Sequence, residues 1–180
     1  MTTQTFSIDG PVLIKPSIFR DNRGFFLESY NQERYTHVVG SHEFVQDNLS
    51  LSDVDVVRGL HFQSPPYAQG KLVSVIVGAV LDIIVDIRKN SPTYGEHITV
   101  ELIAAEHTQL WIPPGFAHGF LSLEKNTLFS YKCSAPYAPN FERTLLWNDP
   151  DLAIDWKVNS SVVSEKDAKG ELFRTFNSPF

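Results

Sequence analysis

The chain has 180 residues, of which 42% are hydrophobic and 12% aromatic, and its formal net charge at pH 7 is −6. This apolar content excludes a disordered chain, and the length predicts a single domain over residues 1–180 with a sizeable core. An acidic chain without a dense run of Lys and Arg is not expected to bind nucleic acid, although a few cations focused in one cleft can still hold a phosphate.

Cysteine content and apolar runs predict the compartment. Cys133 is the only cysteine, so no intramolecular disulfide can form, which is typical of proteins in the reducing cytosol. Cys133 itself is expected to be a small buried residue. The first ten residues lack the basic and apolar segments of a secretion signal, and no apolar run reaches the roughly 18 residues that span a bilayer. We therefore expect a cytoplasmic protein without a membrane partner.

The first third of the chain predicts short strands and one short helix. Residues 12–14 form an apolar run between prolines, which predicts an edge strand because prolines are tolerated there. A polar turn precedes a second predicted strand over residues 25–30. Asn31 is expected to cap a helix that runs through Val38. The β-branched stretch over residues 44–62 predicts two strands joined by a tight turn.

The clearest strand signal is an alternation of period two over residues 79–88. One face is entirely apolar and the other carries Asp82, Asp86 and Arg88 among apolar residues, so a strand with a dry face and a mixed face is predicted. Further strands are predicted over residues 98–104, 109–112, 118–123 and 128–134. Helical periodicity is scarce, and residues 164–167 are expected to open only a short helix. The pattern predicts an all-β fold, an antiparallel sandwich or barrel whose roughly nine strands fit a jelly roll with a few short peripheral helices.

Two histidines are candidates for chemistry, and the first is His61. In an extended strand, Gly59, His61 and Gln63 share one face while Leu60 and Phe62 share the other. If the two apolar residues fill a core layer, His61 lines the opposite face. A lone histidine in a strand is nevertheless more often structural or exposed than catalytic.

The second candidate is His118, which follows the rigid turn Pro113-Pro114-Gly115. A Pro-x-Gly-x-x-His spacing delivers a strand-initial histidine to one fixed place, and it resembles the second motif of cupins, jelly-roll proteins whose metal sites use histidines and a carboxylate. The first cupin motif needs a second histidine where this chain has Gln63, and a glutamate a few residues later. Two histidines fall short of the three or so ligands that hold a transition metal, so any acid/base work is expected from side chains alone.

Two further candidates are less specific. Tyr131 alternates with Phe129 and Cys133 along one predicted strand and, taken alone, predicts a core or interface tyrosine. Asp167 lies more than a hundred residues from His61, so spacing gives no reason to pair them. Taken alone, Asp167 predicts a solvated carboxylate at a helix start.

Taken together, the motifs are far more specific than any one of them. In chain order they are Arg58-Gly59-Leu60-His61-Phe62-Gln63, Gln69-Gly70-Lys71-Leu72, Leu81-Asp82-Ile83-Ile84-Val85-Asp86-Ile87-Arg88, Pro113-Pro114-Gly115-Phe116-Ala117-His118-Gly119-Phe120, Tyr131-Lys132-Cys133, Trp147-Asn148-Asp149-Pro150 and Ser164-Glu165-Lys166-Asp167. This series resembles the dTDP-4-dehydrorhamnose 3,5-epimerase family. The resemblance extends over nearly the whole chain, from about Gly10 to Asp167.

The resemblance implies a cupin-type antiparallel jelly-roll barrel that needs no metal or other cofactor, is usually a homodimer, and acts on a dTDP-4-keto-6-deoxyhexose in dTDP-L-rhamnose biosynthesis. It implies that His61 is the general base, that Asp167 pairs with it, and that Tyr131 is the acid on the opposite face of the sugar. Lys71 and His118 match groups near the 4-keto oxygen and the substrate. The remaining residues at substrate-binding positions of the family are Arg23, Glu28, Gln46, Asn48, Arg58, Glu142, Lys166 and Tyr137, the last at the position that stacks on thymine.

Several alternatives stay open. Family members often carry Arg where this chain has Ser74 and Val77, and we expect this difference to alter surface or dimer contacts rather than proton transfer. The same site residues would be present in an enzyme that inverts only C3 or only C5, or in a 3,4-ketoisomerase. A non-catalytic jelly roll that binds a sugar nucleotide and, more remotely, a metal-dependent cupin oxygenase are the other hypotheses.

Overall fold

The structure is a computed structural model that describes residues 1–158 and 160–180. Within these ranges it contains fourteen strands, one α-helix and four short 3-10 helices. The strands are β1 (Thr2–Thr5), β2 (Val12–Lys15), β3 (Ile18–Asp21), β4 (Gly24–Leu27), β5 (Gln46–Ser52), β6 (Val56–Gln63), β7 (Lys71–Val77), β8 (Ala79–Asp86), β9 (His97–Ile103), β10 (Gln109–Ile112), β11 (Phe116–Ser122), β12 (Thr127–Cys133), β13 (Glu142–Thr144) and β14 (Val162–Val163). Helix α1 spans Gln32–Val39, and the 3-10 helices span Ala104–Glu106, Pro139–Phe141, Asp167–Lys169 and Phe173–Thr175. None of the helices in the described ranges is long and apolar enough to cross a membrane.

The strands form two large sheets that pack face to face. The first has the order β1-β2-β10-β7-β12-β5, and the second has the order β13-β6-β11-β8-β9 with β14 parallel to β6. Strands β3 and β4 form a separate antiparallel hairpin. This antiparallel sandwich with short peripheral helices confirms the predicted all-β jelly roll of the cupin type.

Two buried apolar layers stabilise the sandwich, and β8 contributes to both. On one face of β8, Val80 and Ile84 join the core between the two sheets. On the other face, Ile83 and Val85 pack against the C-terminal segment, which covers the outside of the second sheet. The predicted dry face of β8 therefore lies under this segment. The predicted mixed face points into the sandwich interior, where Asp82 is fully buried.

Several predicted elements match the structure, and one is misplaced. Helix α1 begins after Asn31, whose side chain accepts a hydrogen bond from the N–H of Arg34 at 3.1 Å. Strands β5 and β6, with the turn between them, confirm the prediction for residues 44–62. The prediction of an edge strand over residues 12–14 is wrong, because β1 pairs with β2 and places it inside the sheet.

Other elements lie outside the predicted strands, namely β1, β3, β7, β13 and β14. All four residues of β1 are exposed, so this strand lacks the polar and apolar alternation on which the predictions rest. The strand predicted over residues 25–30 is shorter, since β4 ends at Leu27 and pairs with β3. The helix predicted at residues 164–167 is a 3-10 turn over Asp167–Lys169.

Close approach of β6 and β11 brings the two candidate histidines together. Gly59 has a φ of +128°, and a Cβ there would lie 2.4 Å from the Cα of Gly119. A Cβ on Gly119 would lie 2.7 Å from the carbonyl oxygen of Arg58. Both positions therefore require glycine. On the resulting pair of strands His61 stands opposite His118.

Candidate active site

A cavity of about 620 Å³ opens to solvent between the two sheets. Strands β6 and β11 of the second sheet supply Arg58, His61 and His118 to its lining, and strands β7 and β12 of the first sheet supply Lys71 and Tyr131. Glu142, at the start of β13 in the second sheet, and three residues of segments outside the two large sheets, Tyr137, Lys166 and Asp167, also line it. Nine of the thirteen residues predicted for the site therefore surround one cavity.

His61 and Asp167 form a close pair at this cavity, across 106 positions of sequence. The distance from Nε2 of His61 to Oδ1 of Asp167 is 2.6 Å. The other carboxylate oxygen, Oδ2, accepts the N–H of Gly59 at 3.3 Å. Burial raises the pKa of Asp167, but hydrogen bonds from His61, Gly59 and Ser164 outweigh it, so the pKa lies below its usual value. The carboxylate is charged at neutral pH and can orient the imidazole and stabilise its protonated form.

The prediction that Asp167, taken alone, is a solvated carboxylate is wrong. Its side chain is only 4% exposed. The 3-10 turn that begins at this residue packs against β6, and that packing places the carboxylate beneath His61. Leu60 and Phe62 are buried in the outer apolar layer, so His61 points to the opposite face, as the strand geometry predicts.

Lys71 lies at the inner part of the cavity. Its Nζ donates to the carbonyl oxygen of His61 at 3.3 Å. Burial lowers the pKa of Lys71, while the nearby Cys133, Asp82 and Glu142 act in the opposite direction. The amine of Lys71 therefore lies in a largely desolvated place, where the field of its protonated form on a bound oxygen is strong.

A second histidine–carboxylate pair lies deeper in the sandwich. Nε2 of His118 is 2.9 Å from Oδ2 of Asp82, and both side chains are buried. Burial lowers the pKa of His118 and raises the pKa of Asp82. The remaining oxygen of Asp82, Oδ1, has no hydrogen-bond partner among the described residues.

Asp82 is a residue of the site region that the sequence reasoning did not assign. Two signals were available. One is a carboxylate in the middle of the otherwise apolar run around Ile83 and Ile84, and the other is its place on the mixed face predicted for β8. Strand pairing sets Asp82 opposite Phe120, two residues beyond His118 on β11, and this diagonal places the two side chains within contact.

Tyr131 supplies an acid from the first sheet. Burial raises the pKa of its phenol, and the neighbouring Cys133 and Glu142 act in the same direction. The phenol is therefore protonated at neutral pH and can donate a proton into the cavity. Because His61 belongs to the second sheet, the two groups reach the cavity from different sides.

At the rim, Glu142 connects two of the predicted binding residues. Its Oε2 accepts the hydroxyl of Tyr137 at 2.7 Å, and its Oε1 is 2.6 Å from Nζ of Lys166. Burial raises the pKa of Glu142, but these two partners lower it more, so the group stays charged. Arg58 lines the cavity, and its guanidinium donates to the hydroxyl of Ser52 at 3.0 Å and to the carbonyl oxygen of Leu51 at 3.1 Å.

Four predicted residues are not among those that line this cavity. Gln46 and Asn48 border a smaller adjoining cavity of about 90 Å³ that shares Lys71 with the main one. Arg23 lies in the turn of the β3–β4 hairpin, where it is 85% exposed. Glu28 follows the hairpin and pairs with Arg34.

No group of three His, Cys, Asp or Glu side chains is arranged to hold a metal ion in the part of the chain that the structure describes. Gln63, at the position of the missing cupin histidine, is buried and hydrogen-bonded to the backbone of neighbouring loops. The titratable side chains that line the cavity include His61, Lys71, Tyr131 and Asp167.

A cupin-type jelly roll with a histidine–carboxylate pair, a buried lysine and a buried tyrosine around one cavity defines a class of jelly rolls whose side chains are suited to proton transfer. The family model for dTDP-4-dehydrorhamnose 3,5-epimerase matches residues 5–175. The chain belongs to the dTDP-4-dehydrorhamnose 3,5-epimerase family, as the motifs predict.

Individual relatives agree with this assignment. The dTDP-4-dehydrorhamnose 3,5-epimerase of Shigella flexneri is 49% identical over 163 residues, which are 90% of each chain. The crystal structure of the dTDP-6-deoxy-D-glucose-3,5-epimerase of Legionella pneumophila with dTDP-4-keto-L-rhamnose is similar with a TM-score of 0.94 and 44% identity, over 98% of this chain and 94% of that one. A 3'-monoepimerase of Streptomyces bikiniensis, solved with dTDP-quinovose, has a TM-score of 0.89 and 32% identity, over 94% of this chain and 87% of that one.

Proposed function

We propose that this protein epimerises dTDP-4-keto-6-deoxy-D-glucose at C3 and C5 to give dTDP-4-keto-L-rhamnose. The observation that carries the proposal is the placement of the His61–Asp167 pair and Tyr131 on two different sheets, with one cavity between them. Inversion at carbon requires removal of a proton from one face and delivery of a proton to the other. A base and an acid that approach a ligand from two sheets meet that requirement.

Proton removal begins at His61. Neutral imidazole takes the proton from the carbon next to the C4 ketone, and Asp167 holds the ring in position and stabilises the imidazolium. The electron pair moves to the carbonyl oxygen to form an enolate. Lys71 stabilises that oxygen, and removal of one such donor in other enzymes lowers kcat about 10²- to 10³-fold.

Proton delivery completes the inversion. Tyr131 donates its phenolic proton to the opposite face of the carbon, and the enolate returns to the ketone. The phenolate then takes a proton from solvent and the imidazolium of His61 releases its proton to solvent, so the same groups can act on the second carbon. Around the reacting sugar, Arg58 supplies a guanidinium for the diphosphate and Tyr137 an exposed ring for thymine. Gln46, Asn48, His118, Glu142 and Lys166 complete the proposed set of binding groups.

Solvent-isotope exchange tests the proposal. Wild-type protein incubated with dTDP-4-keto-6-deoxyglucose in D2O is expected to place deuterium at C3 and C5, read by proton NMR. His61→Ala should abolish incorporation and Tyr131→Phe should abolish inversion, both with binding of dTDP largely intact, whereas His37→Ala, on the exposed face of α1, should exchange like wild type. Exchange at the wild-type rate in His61→Ala would refute the base assignment.

The same spectrum separates a second candidate function, epimerisation at one carbon. The similarity to the Streptomyces bikiniensis 3'-monoepimerase favours keeping it. Deuterium at C3 alone identifies a 3-epimerase and at C5 alone a 5-epimerase, while movement of the keto group to C3 identifies a 3,4-ketoisomerase. Affinity for dTDP without exchange identifies a non-catalytic binder.

We further propose that the working unit is a cytoplasmic homodimer of one-domain chains. Phe19, Phe25 and Phe26 of the β3–β4 hairpin are 64%, 52% and 69% exposed, and a hairpin with this much apolar surface fits an interface. In this arrangement Arg23 and Glu28 reach a substrate only from the partner chain. Support for one domain comes from β1 and β14, which tie both ends of the chain into the two sheets.

A further inference from the structure

A loop beside the cavity has its backbone held by glutamine side chains. We call residues 134–141 the cavity loop. Gln63 is 3% exposed and reaches it with both halves of its amide. Nε2 of Gln63 donates to the carbonyl oxygens of Tyr67 at 2.7 Å and Pro136 at 3.1 Å, and Oε1 accepts the N–H of Ala138 at 2.7 Å. Every hydrogen and the oxygen of the amide group are therefore used.

Two more glutamines hold the residues beside these. Nε2 of Gln69 donates to the carbonyl oxygen of Ala135 at 2.7 Å. Oε1 of Gln46 accepts the N–H of Tyr137 at 2.7 Å. Gln46, Gln63 and Gln69, here called the glutamine cluster, thus bind one backbone group in each of the four consecutive residues 135–138.

The middle of the cavity loop depends on this cluster more than its ends do. At one end, the N–H of Ser134 donates to the carbonyl oxygen of Gly70, and at the other end the carbonyl oxygen of Phe141 accepts the N–H of Ser64, both at 2.9 Å. These are backbone pairings. Residues 135–138 lie between these two pairings, and the glutamine cluster binds their backbone groups through its side chains.

Tyr137 lies in the middle of the cavity loop, among the residues that the glutamine cluster holds. Its hydroxyl is bound by Glu142, while the residue as a whole is 53% exposed at the cavity rim. A planar side chain held at both its backbone and its hydroxyl presents its ring in one orientation. Loss of the backbone anchor would leave the ring mobile, and a ligand that stacks on it would have to order it on binding.

We propose that Gln63 is a positioning residue for nucleotide recognition, which fixes the cavity loop so that Tyr137 is ready to stack on the base. The inference rests on the proposed function, because it takes Tyr137 as the residue that contacts thymine. At the position where a metal-binding cupin would carry a histidine, this chain uses an amide to hold a loop. Gln63 acts through Tyr137 and takes no part in proton transfer.

Gln63→Met tests the proposal because it keeps the length of the side chain and removes the amide. The dissociation constant for dTDP, measured by calorimetry, is expected to rise about tenfold, which is about 1.4 kcal/mol. The kcat at saturating substrate should stay within about twofold of wild type, because the groups that move protons are unchanged. A fall in kcat with an unchanged dissociation constant would overturn the proposal.

A double-mutant cycle tests whether Gln63 acts through Tyr137. If it does, Gln63→Met should change dTDP affinity less than about twofold in a Tyr137→Ala background, since the ring it positions is gone. Equal tenfold losses in both backgrounds would overturn the proposal. Wild-type protein that binds no dTDP would overturn the proposed function and this inference together, whereas normal wild-type binding with an unaffected Gln63→Met would overturn the inference alone.

Control variants separate positioning from general stability. Trp156→Phe removes a buried donor whose Nε1 lies 2.7 Å from the carbonyl oxygen of Trp147, away from the cavity. It should lower the Tm and leave dTDP affinity unchanged. Should Gln63→Met fail to fold, Gln69→Met, which loses one hydrogen bond to the loop, is expected to raise the dissociation constant about threefold. No change in that variant would overturn the proposal.

Discussion

At the scale of single residues, the pairing of His61 with Asp167 is the contact on which the proposed chemistry depends most. The strand geometry predicts the face on which His61 lies, but 106 positions separate it from its partner. Contacts of that range are set by how the C-terminal segment packs on the second sheet, and periodicity carries no information about them. The pairing was available only through the resemblance to a family.

Asp167→Asn tests that pairing. An amide has nearly the same size but cannot stabilise an imidazolium, and it can hold the wrong tautomer of the ring. We expect kcat for deuterium exchange to fall about 10²- to 10⁴-fold with a small change in dTDP affinity. Glu165→Gln, a neighbouring carboxylate whose side chain is 95% exposed, should behave as wild type. Wild-type exchange in Asp167→Asn would mean that His61 needs no carboxylate.

For two other residues, the local sequence does not predict the hydrogen-bond partner of the side chain. Asp82 and Gln63 are both polar and buried, and nothing in their immediate sequence says which partner satisfies them. Asp82 is hydrogen-bonded to His118 on the neighbouring strand, and Gln63 is hydrogen-bonded to a loop more than seventy positions away. Buried polar groups need partners, so the sequence indicates that a partner exists but leaves its identity open.

At the scale of elements, alternation predicted most of the long central strands but missed β7, and it predicted the short peripheral strands poorly. Strand β8 shows a full period-two pattern because its two faces meet different surroundings. Strand β1 is exposed throughout and β14 has only two residues, so neither provides a pattern. The misplacement of β2 as an edge strand follows directly from the missed β1.

The end of β8 also carries a polar cluster that stabilises the fold. Asp86 is fully buried and accepts hydrogen bonds from Arg88, Ser91 and Thr93 at 2.6 to 2.9 Å. Burial raises the pKa of Asp86, but these donors outweigh it and lower the pKa from 3.8 to about 2. The charged carboxylate therefore anchors the turn that follows the strand.

Asp86→Asn should remove this contribution. A carboxylate with a lowered pKa stabilises the fold fully above its unfolded value near 4, and the stabilisation is lost as pH falls towards the folded value near 2. At pH 7 we expect a loss of about 2 kcal/mol in the free energy of unfolding, measured with urea. The difference from wild type should shrink between pH 4 and pH 2. The prediction would be contradicted if Asp86→Asn and wild type differed in free energy of unfolding by the same amount at pH 7 and pH 2.5. It would also be contradicted if Asp86→Asn lowered that free energy no more than the exposed Asp151→Asn does.

At the scale of the whole molecule, composition predicted a sizeable core and the strand pattern predicted the class of fold. Neither the composition nor the strand pattern predicted the role of the C-terminal segment. Its apolar residues are spread among turns without a period, yet Leu152, Trp156 and Phe176 are buried on the outside of the second sheet. The same packing delivers Asp167 to the cavity, so this segment both completes the core and completes the site.

Helix α1 covers one part of the outer face of the first sheet, where Leu72 and Trp111 pack against Tyr35, but another part of this face is exposed. Leu51, Leu128 and Val77 stand side by side across β5, β12 and β7. Leu51 is 60% and Val77 50% exposed. An exposed apolar patch on a flat sheet face is typical of an interface between chains.

Leu51→Glu tests whether a second copy covers that face. In a homodimer whose interface includes the patch, the new carboxylate would be buried without a partner, which is strongly unfavourable. Light scattering after size-exclusion chromatography should then show single chains for Leu51→Glu and pairs for wild type and for Thr99→Glu, an exposed position on β9 of the other sheet. Because Arg23 would reach a substrate only from the partner, separation into single chains should also weaken dTDP binding. Pairs of Leu51→Glu chains with wild-type affinity would show that the interface lies elsewhere.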